Sequence, residues 1–153
     1  MKSFTLQSKS GRPYQIIFSI FLSVASLFFL PSASAEVINI DNVELAHLMS
    51  KGVPLIDIRN SDEWKNTGII ANSQLITFFD EQGRVNVPQW LALTKPFAGP
   101  DQPTILICHS GGRSQQAAKF LSETIGYKTV YNVKHGLMGW LEEHRPVIPA
   151  EKP

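Results

Sequence analysis

From residue 36 onward the hydrophobic positions alternate between two rhythms: short continuous apolar runs, and longer stretches with apolar residues three or four apart. Val37-Ile38-Asn39-Ile40 predicts a short first strand. Asp41 then caps a helix, with Glu44 three residues later completing a capping-box pair. Val43, Leu45, Leu48 and Met49 supply its apolar side, and Gly52 ends it. After Pro54, Leu55-Ile56-Asp57-Ile58 is a strand of the continuous kind buried when helices cover both faces of a sheet. Ser61-Asp62-Glu63 opens a short helix with acids in its first turn, where the helix dipole favours them, and Gly68 stops it.

Ser73 to Thr77 predicts a further strand. Between residues 80 and 103, Gly83, Pro88, Pro96, Gly99, Pro100 and Pro103 break the pattern, leaving a brief helix around Gln89 to Thr94. Trp90, Leu91 and Leu93 are expected to pack that helix inward. Thr104-Ile105-Leu106-Ile107 is β-branched and aliphatic throughout, suited to the centre of a sheet. Ser114 to Ile125 is an amphipathic helix with Ala117, Ala118, Phe120, Leu121 and Ile125 on its buried side, stopped by Gly126. Val130 to Val133 and Leu137 to Glu143 give a last strand and helix, and Pro146 and Pro149 lead into a tail. Strands and helices that alternate in this way predict an α/β fold, a mainly parallel sheet of about five strands with helices on both faces.

The segment before that domain has another character. Lys2, Lys9 and Arg12 precede an apolar run of 15 residues, Ile16 to Leu30, then Pro31 and the small residues Ala33-Ser34-Ala35. This is the order of a secretory signal with cleavage after Ala35. The other reading is a membrane anchor that stays attached; a spanning helix takes ~20 apolar residues, and this run has 15, three of them serine. The expected organisation is a cleaved signal over 1–35 and one domain over 36–153, exported, and periplasmic in a Gram-negative cell. Without Lys2, Lys9 and Arg12, the 14 basic residues fall to 11 against 13 acidic ones, a net charge of about −2. That balance argues against a nucleic-acid partner, and against stable membrane association once the signal is gone.

Export makes the single cysteine, Cys108, informative. It cannot close an intramolecular bridge, so it is an intermolecular partner, a reactive thiol or a buried small hydrophobe. Its neighbours favour the reactive thiol. Cys108 follows the most central strand, at the carboxyl end where ligands bind in parallel α/β sheets. The segment Cys108-His109-Ser110-Gly111-Gly112-Arg113-Ser114 then turns into a helix. Gly111 and Gly112 permit a tight bend, the helix start adds unpaired N–H groups, and Arg113 brings a permanent charge. Together they favour an anionic sulfur.

Three motifs in order resemble the rhodanese family over nearly the whole domain. Leu55-Ile56-Asp57-Ile58-Arg59 with Glu63-Trp64 and Gly68 is similar to its first signature. Val130-Tyr131-Asn132-Val133 with Gly136 and Trp140 is similar to its last, and Cys108 to Arg113 resembles its active-site loop. The resemblance implies the rhodanese fold and transfer of sulfane sulfur through a persulfide on Cys108. The donor would be a compound such as thiosulfate, and the acceptor a thiophile, cyanide or a thiol. His109, Ser110, Gly111, Gly112 and Arg113 would bind these small molecules. Four residues separate Cys108 from Arg113, whereas the related phosphatases and arsenate reductases have five, a wider cradle for a tetrahedral oxyanion. Where the family usually has Gly-His-Ile, this chain has Gly68-Ile69-Ile70.

Asp57 and Arg59 have two readings, support of the active loop or an ion pair that fixes the following turn. Trp64 and Trp140 wall the pocket on one reading and belong to the core on the other. The four histidines, His47, His109, His135 and His144, lack zinc-ligand spacing, so no metal and no cofactor is expected. Two other functions share the loop: a cysteine-dependent phosphatase or arsenate reductase, and a non-catalytic module binding an anion or partner.

Overall fold

The computed structural model describes residues 36–150, and residues 1 and 3 besides. The chain divides into two units, Met1–Ala33 and Ser34–Pro153, and all the elements lie in the second. The expected signal segment, apart from residues 1 and 3, lies outside the described residues.

The sheet has five parallel strands. They are β1 (Glu36–Ile40), β2 (Leu55–Asp57), β3 (Gln74–Leu75), β4 (Thr104–Ile107) and β5 (Thr129–Val133), in the order β1-β5-β4-β2-β3. Five helices connect and follow them: α1 (Asn42–Ser50), α2 (Ser61–Thr67), α3 (Val87–Thr94), α4 (Gly112–Phe120) and α5 (Gly136–Glu142). α4 continues into a π-helical turn, Leu121–Ile125, closed by Gly126 with φ of 90°. β4 lies in the middle of the sheet, flanked by β2 and β5, and all four of its residues are buried.

Alternate residues of β4 serve opposite layers, because side chains change face at every residue of a strand. Leu106 and Cys108 join Ile58, Ala117, Ala118, Leu121 and Trp90 in one core. Ile105 and Ile107 join Leu45, Leu48, Val133, Leu137 and Trp140 in the other. The cysteine therefore faces the layer of α4, whose alanines let that helix approach the strand. Trp140 is core: its indole N–H donates to the Pro146 carbonyl at 2.9 Å.

Two expectations about helix faces are corrected. Val43 is 68% exposed and Asn42 is buried in its place. The Asp41 carboxylate accepts the N–H groups of Val43 and Glu44 at 3.0 and 2.9 Å, which fixes the first turn with Asn42 inward. Leu93 is 52% exposed, while Thr94 is fully buried, its hydroxyl donating back to the Trp90 and Leu91 carbonyls. Trp90 and Thr94, four apart, define the inner stripe of α3, and Leu93 lies off it. The isoleucine pair after Gly68 is structural as well. Ile69 and Ile148 exchange backbone hydrogen bonds at 2.9 Å, so this segment secures the C-terminal tail.

Candidate active site

The loop after β4 wraps its own cysteine. The Sγ atom of Cys108 accepts the N–H of Gly111 at 3.2 Å and the N–H of Ser114 at 3.3 Å. These belong to the cap and the first turn of α4, so the sulfur takes the position of a helix-capping acceptor. The Ser114 hydroxyl lies 3.3 Å from Sγ and 3.2 Å from the Gly111 carbonyl, and its single hydrogen is shared between them. Donors on one side of a sulfur suit an anion, thiolate or persulfide, better than a thiol with a proton of its own to place.

A second layer holds the loop from behind. Gly111 has φ of 92°, left-handed backbone that a side chain strongly disfavours. A β-carbon there would also collide with the Lys134 carbonyl. At Gly136, φ is 57° and a β-carbon would lie 2.5 Å from the His109 carbonyl oxygen and 2.6 Å from that of Cys108. That closeness lets the first N–H groups of α5 reach the loop. Leu137 donates to the Cys108 carbonyl at 2.8 Å, and Met138 to that of His109 at 2.9 Å. The loop is thus pinned at its sulfur by α4 and at its carbonyls by α5.

Cys108 itself is 1% exposed. His109, Ser110 and Gly112 are exposed at the loop tip, Gly111 and Ser114 are buried, and Arg113 is partly buried. The Arg113 side chain turns toward α2 and clasps Glu63 with both arms, Nη1–Oε2 at 2.9 Å and Nη2–Oε1 at 2.5 Å. Glu63 also accepts the Asn60 N–H at 3.0 Å. Burial pushes the Glu63 carboxyl up. The Arg113 hydrogen bond, the Asn60 N–H and the charges of Arg113 and Arg59 outweigh it and hold the carboxyl below its ordinary value. Arg113 is raised in turn, chiefly by that same hydrogen bond.

Asp57 and Arg59 form a buried pair, Nη2–Oδ2 2.6 Å, with both side chains almost fully excluded from solvent. Nε of Arg59 adds contacts to both carboxylate oxygens at 2.9 and 3.0 Å. Its remaining donors go to the Thr67 hydroxyl and the Gly68 carbonyl, at 2.7 and 2.9 Å. The pair stitches the end of β2 to the end of α2. α2 in turn carries Glu63, which holds Arg113.

A cleft of about 440 Å³ opens beside Arg113, lined by Asn60, Phe79, Asp80, Glu81, Gly83 and Gln116. Trp64 lines a separate groove of about 510 Å³ between the β3 exit and α3, together with Phe78, Trp90 and Leu93. His135 is exposed at the start of α5. The residues that sequence reasoning did not assign to the site are Glu63, the Ser114 hydroxyl and the Lys134 carbonyl. Glu63 had two signals: it belongs to the first of the three motifs, and it sits in the first turn of the helix after β2.

Residues 41–143 match the family model of the rhodanese-like domain. The chain belongs to the rhodanese-like family. Rhodanese-like domain-containing protein 17 of Arabidopsis thaliana is 30% identical over 120 residues, covering 76% of each chain. Thiosulfate sulfurtransferase 18 of the same plant is 27% identical, covering 76% of this chain and 88% of its own. Among solved structures, the polysulfide-sulfur transferase homodimer of Wolinella succinogenes superposes with a TM-score of 0.58 at 25% identity. That match covers 90% of this chain and 92% of that one. The rhodanese-like fold, a five-stranded parallel sheet with helices on both faces, agrees with the architecture expected from the sequence.

Proposed function

We propose that this rhodanese-like domain is a sulfurtransferase that carries sulfane sulfur as a persulfide on Cys108. One observation carries the reading: the cysteine sulfur, directly after β4, accepts the Gly111 and Ser114 N–H groups. A preorganised set of donors stabilises an anion without reorganising during the reaction. The sulfur transferases among its relatives support the class of reaction. Cys108 attacks the outer sulfur of a donor, the donor's sulfur–sulfur bond breaks, and its remainder leaves with the electron pair. A thiophilic acceptor, cyanide or a thiol, then takes the outer sulfur and restores the cysteine. Thiocyanate formation from a sulfane donor and cyanide tests the cycle. The protein is expected to turn over, and Cys108→Ser to be inert.

A second reading has its own observation, the 1% exposure of Cys108 within an apolar cluster. On that reading the thiol is a packed hydrophobe and the domain a binding module. Alkylation separates the two. A working sulfurtransferase reacts with iodoacetamide while folded, and a structural thiol reacts only after denaturation.

We further propose that the chain is exported and cleaved after Ala35. β1 begins at Glu36, so that cut leaves every described element whole. N-terminal sequencing of the protein from its native host is expected to begin at Glu36; an intact Met1 contradicts it.

A further inference from the structure

Arg113 is the one permanently charged side chain of the Cys108–Arg113 loop, and both arms of its fork are taken by Glu63. Glu63 is itself held by the Asn60 N–H, on a helix that Arg59 ties down through Thr67 and Gly68. Carboxylates line the clefts on that side, three of them paired with Lys65, Arg84 and Arg113. Asp80 and Glu81 line the cleft beside Arg113, and Asp62, Glu63, Asp80 and Glu81 line its neighbour against α2, where Arg84 pairs with Asp80. A donor ending in an oxyanion needs a cation for its leaving group. Here it would have to displace a two-armed carboxylate from Arg113. A donor without an oxyanion needs neither.

We propose that Glu63 sets donor choice: by occupying Arg113, it selects persulfides of uncharged thiols over oxyanion donors such as thiosulfate. This rests on the sulfur-transfer reading of Cys108 and names its substrate class. In the favoured step the Cys108 thiolate attacks the outer sulfur of R–S–SH. A Cys108 S–S bond forms, the donor S–S bond breaks, the proton stays with the transferred sulfur, and RS⁻ departs with one negative charge. With thiosulfate the same attack expels sulfite, a dianion, while Arg113 is already held by Glu63. Glu63 does not touch the reacting atoms. It acts through Arg113, and its effect is a specificity effect.

The test compares thiosulfate with the persulfide of β-mercaptoethanol as donors and cyanide as acceptor, with thiocyanate as the readout after subtraction of the uncatalysed rate. The protein is expected to prefer the persulfide. Glu63→Gln frees the fork, so it lowers KM for thiosulfate and raises the thiosulfate-to-persulfide ratio of kcat/KM about tenfold, the scale of one charge-assisted hydrogen bond. Glu63→Asp, with a shorter reach, moves the ratio the same way by less, and decides the matter if the glutamine variant does not fold. A ratio that stays fixed or falls in the folded variants overturns the proposal, since Glu63 then only positions Arg113. A protein that turns over neither donor fails at the sulfur-transfer reading instead.

Discussion

The carbonyl oxygen of Lys134 stands where a β-carbon on Gly111 would have to go. The two residues belong to different connections, the loop after β4 and the end of β5. Gly111 makes this approach while its N–H donates to the Cys108 sulfur at 3.2 Å. Gly111→Ala meets both this clash and left-handed backbone. It is expected to lower stability by at least about 2 kcal/mol, read from the denaturant midpoint, and to suppress sulfur transfer. Native stability in that variant would show that the loop can relax without its neighbour.

Ser114 separates the contribution of a side chain from that of the backbone. Ser114→Ala keeps the N–H that points at the sulfur and removes the hydroxyl 3.3 Å away. The expected result is a kcat/KM about tenfold lower, with stability changed by no more than about 1 kcal/mol. Unchanged kinetics would assign the hydroxyl to the Gly111 carbonyl alone.

The buried ion pair gives a prediction about stability rather than chemistry. Arg59→Leu strands Asp57 without its partner inside the fold, a loss of about 3–5 kcal/mol. Adding Asp57→Asn to the same chain removes the orphaned charge and restores part of that loss. A double variant no better than the single one would contradict the pairing.

How far these relationships were legible in the sequence depends on how local they are. β4 and the turn into α4 could be read directly, because an apolar β-branched run followed by Cys108, two glycines and Arg113 leaves little conformational choice. That Leu93 lies off the inner stripe is not legible, because the apolar residues Trp90, Leu91, Ala92 and Leu93 follow one another in α3 and do not say which of them share a face. Buried Thr94, which satisfies its hydroxyl within its own helix, decided it. The partner of Arg113 was hidden for a different reason. Glu63 lies 50 residues earlier, and no spacing rule connects them until β2 and β4 pair side by side. Gly136 had the same character, since its need to be glycine comes from the carbonyls of Cys108 and His109.

The clasp between Glu63 and Arg113 also predicts a dependence on pH. The Glu63 carboxyl sits below its ordinary value of 4.5, so the folded chain gives up that proton more readily than the unfolded one. The stability the clasp contributes is complete above about pH 4.5 and is lost as pH falls through the lowered folded value. Melting temperatures of the protein and of Glu63→Gln should differ by a constant amount from pH 7 to 5 and converge below that. A gap that stays constant into strong acid would mean the clasp adds nothing to stability.

The account is tested most directly by the mass of the intact protein after incubation with a sulfane donor and removal of the excess. The predicted result is a gain of about 32 Da, one sulfur atom, localised by proteolysis to the Cys108 peptide, reversed by cyanide and absent from Cys108→Ser. An unmodified Cys108 after exposure of the folded protein to both persulfide and thiosulfate donors would contradict it.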